Sequence, residues 1–144
     1  WVVSLNARNV MHRMMEVILM NKIKLMLWGR EFNLDITFDC YSDEKVLESQ
    51  KQAVQAFSKM SNEIEASLES VKAYCLSNNR EEIGADSIEN IFKYVAPKYL
   101  YVPRDEKKQV VAIMCNYKFD SESGIAIVFE NGKIKEIGKQ EIIL

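Results

Sequence analysis

Hydrophobic and polar positions first fall into step at Lys22. Ile23, Leu25 and Leu27 alternate with Lys22, Lys24 and Met26, and beyond Trp28-Gly29-Arg30 the alternation resumes, Phe32, Leu34, Ile36 and Phe38 against Asn33, Asp35, Thr37 and Asp39. A two-residue period turns alternate side chains to opposite sheet faces, so this stretch predicts an antiparallel hairpin with one wet face. Ser42-Asp43-Glu44 then reads as a helix start, a capping hydroxyl followed by acids at the positive end of the helix dipole. Leu47, Val54, Phe57, Ile64, Leu68, Val71 and Cys75 follow at steps of three and four, tracing one apolar stripe. Ser61 interrupts that stripe, and the polar Met60-Ser61-Asn62 favours two shorter helices over one long one.

Ser77-Asn78-Asn79-Arg80 closes the helical block. Asp86-Ser87-Ile88-Glu89 has capping-box spacing and predicts a third helix through Ile91, Phe92 and Val95, stopped by Pro97. Tyr99-Leu100-Tyr101-Val102 reads as a short edge strand. Val110–Tyr117 is apolar at nearly every position, as a central strand would be, and Ile125–Phe129 is similar. Asn131-Gly132 supplies a hairpin turn between Phe129-Glu130 and Lys133-Ile134. The expected fold is α+β: an antiparallel sheet of an N-terminal hairpin and C-terminal strands, with two or three helices on one face, in the order ββ-ααα-βββ.

Residues Trp1–Met20 fit this plan poorly. They carry Met11, Met14, Met15 and Met20 with no period matching a strand or a surface helix, and the run Val17–Met20 is too short for a secretory h-region or a membrane span. Met15-Glu16-Val17 can be encoded by codons that contain a ribosome-binding sequence just ahead of Met20. The expectation is a non-native extension over residues 1–19 and a single domain over 20–144, in which case the only histidine, His12, leaves the protein.

Composition narrows the chemistry. The 144 residues are 48% hydrophobic and 28% charged with formal net charge −2, which suits a single globular domain and disfavours a dedicated nucleic-acid binder, since that needs a basic face. Cys40, Cys75 and Cys115 are scattered and form no C-x-x-C pair, a pattern of reduced thiols in a cytoplasm. Without His12 there is no imidazole base for a triad and no imidazole metal ligand. The glycines are isolated, and none opens a phosphate-cradling loop before a helix.

Two features remain as candidate sites. Asp120 and Glu122 flank Ser121 ahead of Gly124 and offer oxygen ligands to Ca²⁺ or Mg²⁺; a polar hairpin loop is the plainer reading. The helical block carries more acids than bases, Glu63, Glu65, Glu69, Glu81 and Glu82 among them. That excess could dock a basic protein, or it could be an ordinary solvated surface laced by pairs such as Glu48 with Lys51. Trp28 and Arg30 at the hairpin tip, with Tyr94, Tyr99 and Tyr101, are residue types that anchor interfaces and equally types that cover a sheet.

The run Phe119-Asp120-Ser121-Glu122-Ser123-Gly124, with the apolar strand, the Asn131-Gly132 hairpin and Ile137-Gly138 that follow, resembles a family of small uncharacterised bacterial proteins. That family carries a Trp-Asp-x-Glu-His-Gly loop in the same setting. The Trp-Gly hairpin, a helix containing Gln50 and a second helix ending at Tyr74 are also similar. Some relatives are regarded as immunity proteins of toxin systems. Phe119 stands in place of the family's Trp and Ser123 in place of its His, so any chemistry resting on that His is missing here.

The leading expectation is therefore a non-enzymatic protein-binding domain without cofactors, of immunity type, using Trp28, Arg30 and the acidic helices, with no nucleic-acid or membrane partner. The alternatives are a small-molecule or divalent-cation binder, with hydrolysis as its extension, through Asp120 and Glu122, and a homo-oligomer formed through the Val110–Tyr117 sheet. The codon reading predicts a native species beginning at Met20. Intact-mass measurement checks it, and a species beginning before Met15 contradicts it.

Overall fold

A computed structural model describes residues 22–40 and 45–144; the proposed extension before Met20 and the helix start at Ser42–Glu44 lie outside the described residues. Strands β1 (Lys22–Leu27) and β2 (Arg30–Phe38) form the expected hairpin. Its two-residue turn holds Trp28 at φ 55° and Gly29 at φ 81°, positive φ at both central positions, as a turn matching the twist of the strands requires. Helix α1 (Glu48–Ser58) and helix α2 (Ser61–Ile83) follow. They are two helices, as the polar break implies, with the break at Lys59-Met60.

Strands β3 (Val95–Val102), β4 (Val110–Tyr117), β5 (Asp120–Glu130) and β6 (Lys133–Gly138) complete a six-stranded sheet whose spatial order is the order of the chain. The sheet is mixed, not antiparallel throughout: β2 and β3 pair in parallel, and every other neighbour is antiparallel. Side-chain alternation carries no information on strand direction. The helical connection between β2 and β3 returns the chain to the end where β2 began, and a parallel pair results.

The third helix reduces to a single 3₁₀ turn at Ile91–Lys93, whose cap is Asn90: its Oδ1 accepts the Phe92 N–H at 3.1 Å. Ile88, Ile91 and Val95 are buried, but Val95 already belongs to β3. Pro97 lies inside that strand, at the Pro97/Tyr99 irregularity where the ladder can spare an N–H. Tyr99–Val102 is accordingly no edge. It is internal, between β2 and β4.

The helices seal one face of the sheet. Val54, Phe57, Ile64, Val71 and Cys75 from the predicted stripe are buried against Leu25, Leu34, Leu100, Ile113, Ile127 and Phe129, with Phe57 edge-on to Phe129 at 5.4 Å. Gln50 fills the stripe position between Leu47 and Val54 and is 1% exposed. Its Nε2 donates to the Val102 and Asp39 carbonyls at 3.1 and 3.2 Å, and its Oε1 accepts the Leu47 N–H at 2.8 Å. The Cys40 thiol lies 3.7 Å from the same oxygen. One carboxamide thus joins the ends of β2 and β3 to the start of α1.

Gln50→Leu keeps the volume, leaves the Asp39 carbonyl and the Leu47 amide without these partners, and takes from the Val102 carbonyl one of its two donors, the Asp39 N–H remaining. At about 1–3 kcal/mol for a buried polar group left unsatisfied, the expected loss is about 2–4 kcal/mol, measured as a lower urea midpoint with an unchanged slope.

Candidate functional site

Helix α2 divides its side chains between the core and the solvent. Ile64, Ser67, Val71 and Cys75 point into the core, while Glu63, Glu65, Ala66, Glu69, Ser70, Ala73 and Ser77 are exposed. Along Ser61–Ile83 five carboxylates stand against Lys72 and Arg80, and the helix carries net negative charge. At about 100° per residue these acids do not form one stripe. Glu65 and Glu69 face the β1–β2 hairpin side of the helix, Glu63 faces the β6 side, and small side chains lie between. Glu65 Oε1 sits 3.4 Å from the Gly29 N–H. Near the C-terminus, Asn79 departs from helical geometry at φ −138°. Its amide donates to Glu82, and its carbonyl oxygen accepts the Tyr117 hydroxyl at 2.6 Å. Arg80 pairs with Asp86 at 2.8 Å on the exposed surface.

Between α2 and β6 runs an open groove of about 430 Å³. Ser70, Tyr74, Ser77 and Asn78 form its helical wall, and Ile134, Lys135, Glu136 and Ile137 form the strand wall. The Tyr74 hydroxyl is held above its ordinary proton affinity, chiefly by burial and then by the negative charge of Asp120. Beneath it, Tyr117 and Cys75 are pushed up by burial as well, so both stay neutral through the physiological range. Lys135 is engaged by Glu130 at 2.6 Å, with Lys108 on the other oxygen at 3.3 Å. Those two cations draw the Glu130 carboxyl below its usual range.

The hairpin-tip candidates separate. Trp28 is 6% exposed, and its indole N–H donates 3.0 Å to Ser67 Oγ, which in turn donates to the Ile64 carbonyl. Its ring meets Phe92 at 5.8 Å. Trp28 is therefore a structural anchor under α2, not an interface residue, because the positive-φ turn aims its side chain at the helix. Arg30 stays exposed with its guanidinium 4.2 Å over Phe92.

Asp120 and Glu122 lie on β5, not in a free loop; the turn is at Lys118-Phe119. Asp120 Oδ1 accepts the Ser123 N–H at 3.1 Å, and its other oxygen lies 3.9 Å from Lys139 Nζ. Glu122 is exposed, and Ser123 Oγ donates to Glu141 at 2.9 Å. Gly124 has φ 57°, and a Cβ there would strike the Cys115 carbonyl, which accepts from Gln140 Nε2 at 3.1 Å where the β4–β5 ladder shifts. The acids of this segment stabilise a bulged strand start. Among the described residues no three of His, Cys, Asp and Glu are grouped to hold a metal ion, and no helix is long and apolar enough to cross a membrane.

Sequence reasoning missed the groove and its residues Tyr74, Asn78, Lys135 and Glu136, because it exists only where β6 comes beside α2. It also missed Ser67, whose one signal was a hydroxyl on the core side of an amphipathic helix.

A family model described as Domain of unknown function (DUF6985) matches residues 14–144, and the chain belongs to that family. No curated protein and no solved structure matches it.

Trp28→Phe removes the indole donor and keeps most of the packing. The expected cost is about 1–2 kcal/mol, the scale of one buried hydrogen bond, read from chemical denaturation, with Lys24→Ala at an exposed position of β1 as a surface control that changes stability by less than about 0.5 kcal/mol.

Proposed function

We propose that this DUF6985 domain is a non-enzymatic binding module that docks a protein partner on the outer face of α2 and the adjoining groove. The observation that carries the reading is the exposed composition of α2: carboxylates Glu63, Glu65 and Glu69 border a strip of Ala66, Ser70, Ala73 and Ser77. Small side chains let another surface approach closely at little cost in side-chain entropy. Flanking carboxylates attract a basic partner and speed its encounter. The groove beside the strip adds the apolar floor of Ile134 and Ile137 with polar groups at its rim.

An immunity-type role, occluding a basic toxin domain, is the specific form of this reading. Its support is the negative charge of α2 and the resemblance carried by Phe119–Gly124. The sheet's edges are poor alternatives for docking. Lys22 and Lys24 line β1, Lys133 and Lys135 line β6, and the Val128/Phe129 register shift disturbs the last ladder. Such lysines and bulges discourage strand addition.

Cross-linking in the native cell followed by mass spectrometry tests the proposal. Cross-links to a protein partner are expected at α2 and β6. Glu63→Lys combined with Glu69→Lys should slow association about tenfold at low salt, whereas Glu31→Lys on the opposite sheet face should not. Partner cross-links mapping elsewhere, or indifference to both reversals, would reject it.

A further inference from the structure

The groove between α2 and β6 offers more acceptors than donors. Among its described lining residues Lys135 is the cation, and Glu130 holds its ammonium at 2.6 Å. Glu136, next in the strand, is exposed and forms no ion pair among the described residues, although its charge acts on Lys135 from farther away. On the helical wall, Asn78 Nδ2 donates to the Tyr74 carbonyl at 2.8 Å. That bond turns the amide nitrogen onto the helix and leaves Oδ1 as an acceptor. The Ser77 hydroxyl is exposed beside it. Tyr74 packs on the buried Tyr117 at 6.3 Å and also lines the groove.

We infer that the groove receives the side chain of one arginine from the protein partner, its methylenes laid on Ile134 and Ile137 and its guanidinium held between Tyr74, Asn78 and Glu136. The inference rests on the docking reading of α2 and names the anchor of that surface. Three features select arginine. A long aliphatic stem ending in a charge needs an apolar floor with a polar end, and the two isoleucines with Glu136 provide both. A planar fork of five donors needs several acceptors, and the Ser77 hydroxyl, Asn78 Oδ1 and the Glu136 carboxylate stand on two facing walls. A weakly hydrated cation gains from an aromatic ring, which Tyr74 supplies, whereas the ammonium of lysine is compact and strongly hydrated. The surrounding charge favours the same ligand. Glu63 lies two turns before Ser70 on the same arc of α2, and the charge of Asp120 is felt at the Tyr74 hydroxyl. An anionic side chain would meet Glu136 with Lys135 already held by Glu130.

The test titrates the full, methyl-labelled chain with N-acetyl-arginine amide, and with its lysine and citrulline analogues, followed by NMR. Saturable shifts of the Ile134 and Ile137 methyls are expected with the arginine probe. The lysine probe should bind severalfold more weakly. Citrulline keeps the shape and loses the charge, and should give no saturable shift. Glu136→Gln should weaken the arginine probe about tenfold, the scale of one charge-assisted hydrogen bond, while Glu69→Gln on the hairpin side of α2 should not. Both positions are exposed, so neither change threatens the fold. Absent shifts, an equal response to citrulline, or indifference to Glu136→Gln would each overturn the arginine anchor. If partner cross-links still fall at α2 and β6 after such a result, the docking surface stands without it. Cross-links elsewhere overturn the docking surface and the anchor together.

Discussion

The architecture turns on how the parallel junction of β2 and β3 is closed. Two strands that run the same way end together, and where their ladder stops it leaves backbone groups under the helices with no strand to pair with. The Asp39 amide reaches Val102 at 2.9 Å, and Gln50 supplies the remaining partners from the first turn of α1. A buried polar group is favourable only when its bonds are complete, and among the described residues no buried side-chain nitrogen or oxygen lacks a partner. With α1 fixed at that end, the short break at Lys59-Met60 sets where α2 can begin. Its long apolar stripe then settles across β1 and β6, opening the groove that the binding proposal uses.

A second constraint acts in the N-terminal half of α2, at Ser67. Trp28 adopts a backbone conformation that costs an L-residue about 1–2 kcal/mol, and the turn type demands it. Burial of the indole, its bond to Ser67 and the ring contact with Phe92 offset that cost. The same contacts tie the β1–β2 hairpin, the helix and the 3₁₀ turn at Ile91–Lys93 into one unit. A residue type that commonly anchors interfaces is thus consumed internally.

The two sheet faces divide the chemistry. The helix-covered face accounts for the larger core, Phe57, Phe129 and Leu100 included. The opposite face holds a smaller cluster confined to the central strands, which explains why Val110–Tyr117 is apolar at nearly every position. All three thiols are free, and burial raises the proton affinity of Cys75 and Cys115. Both therefore act as small apolar fillers rather than nucleophiles.

Strand and helix positions were largely legible because they follow from local sequence pattern: alternation marked β1 and β2, continuous apolar runs marked β4 and β5, and steps of three and four marked both helices. Turn chemistry was legible at Trp28-Gly29 and Asn131-Gly132, since only a few residues tolerate positive φ. The α+β class followed from these. What sequence reasoning could not supply depends on contacts between distant segments. Strand direction at β2–β3 was invisible because side-chain alternation is the same in either sense. Pro97 read as a helix stop because its place in a strand irregularity rests on the partner Cys115. Trp28 read as a candidate interface residue and Gln50 as one of several family-like positions, because burial is a property of the assembled layers. The groove beside Tyr74 is the clearest case: neither α2 nor β6 contains it, and only their packing side by side creates a surface with an apolar floor and a polar rim.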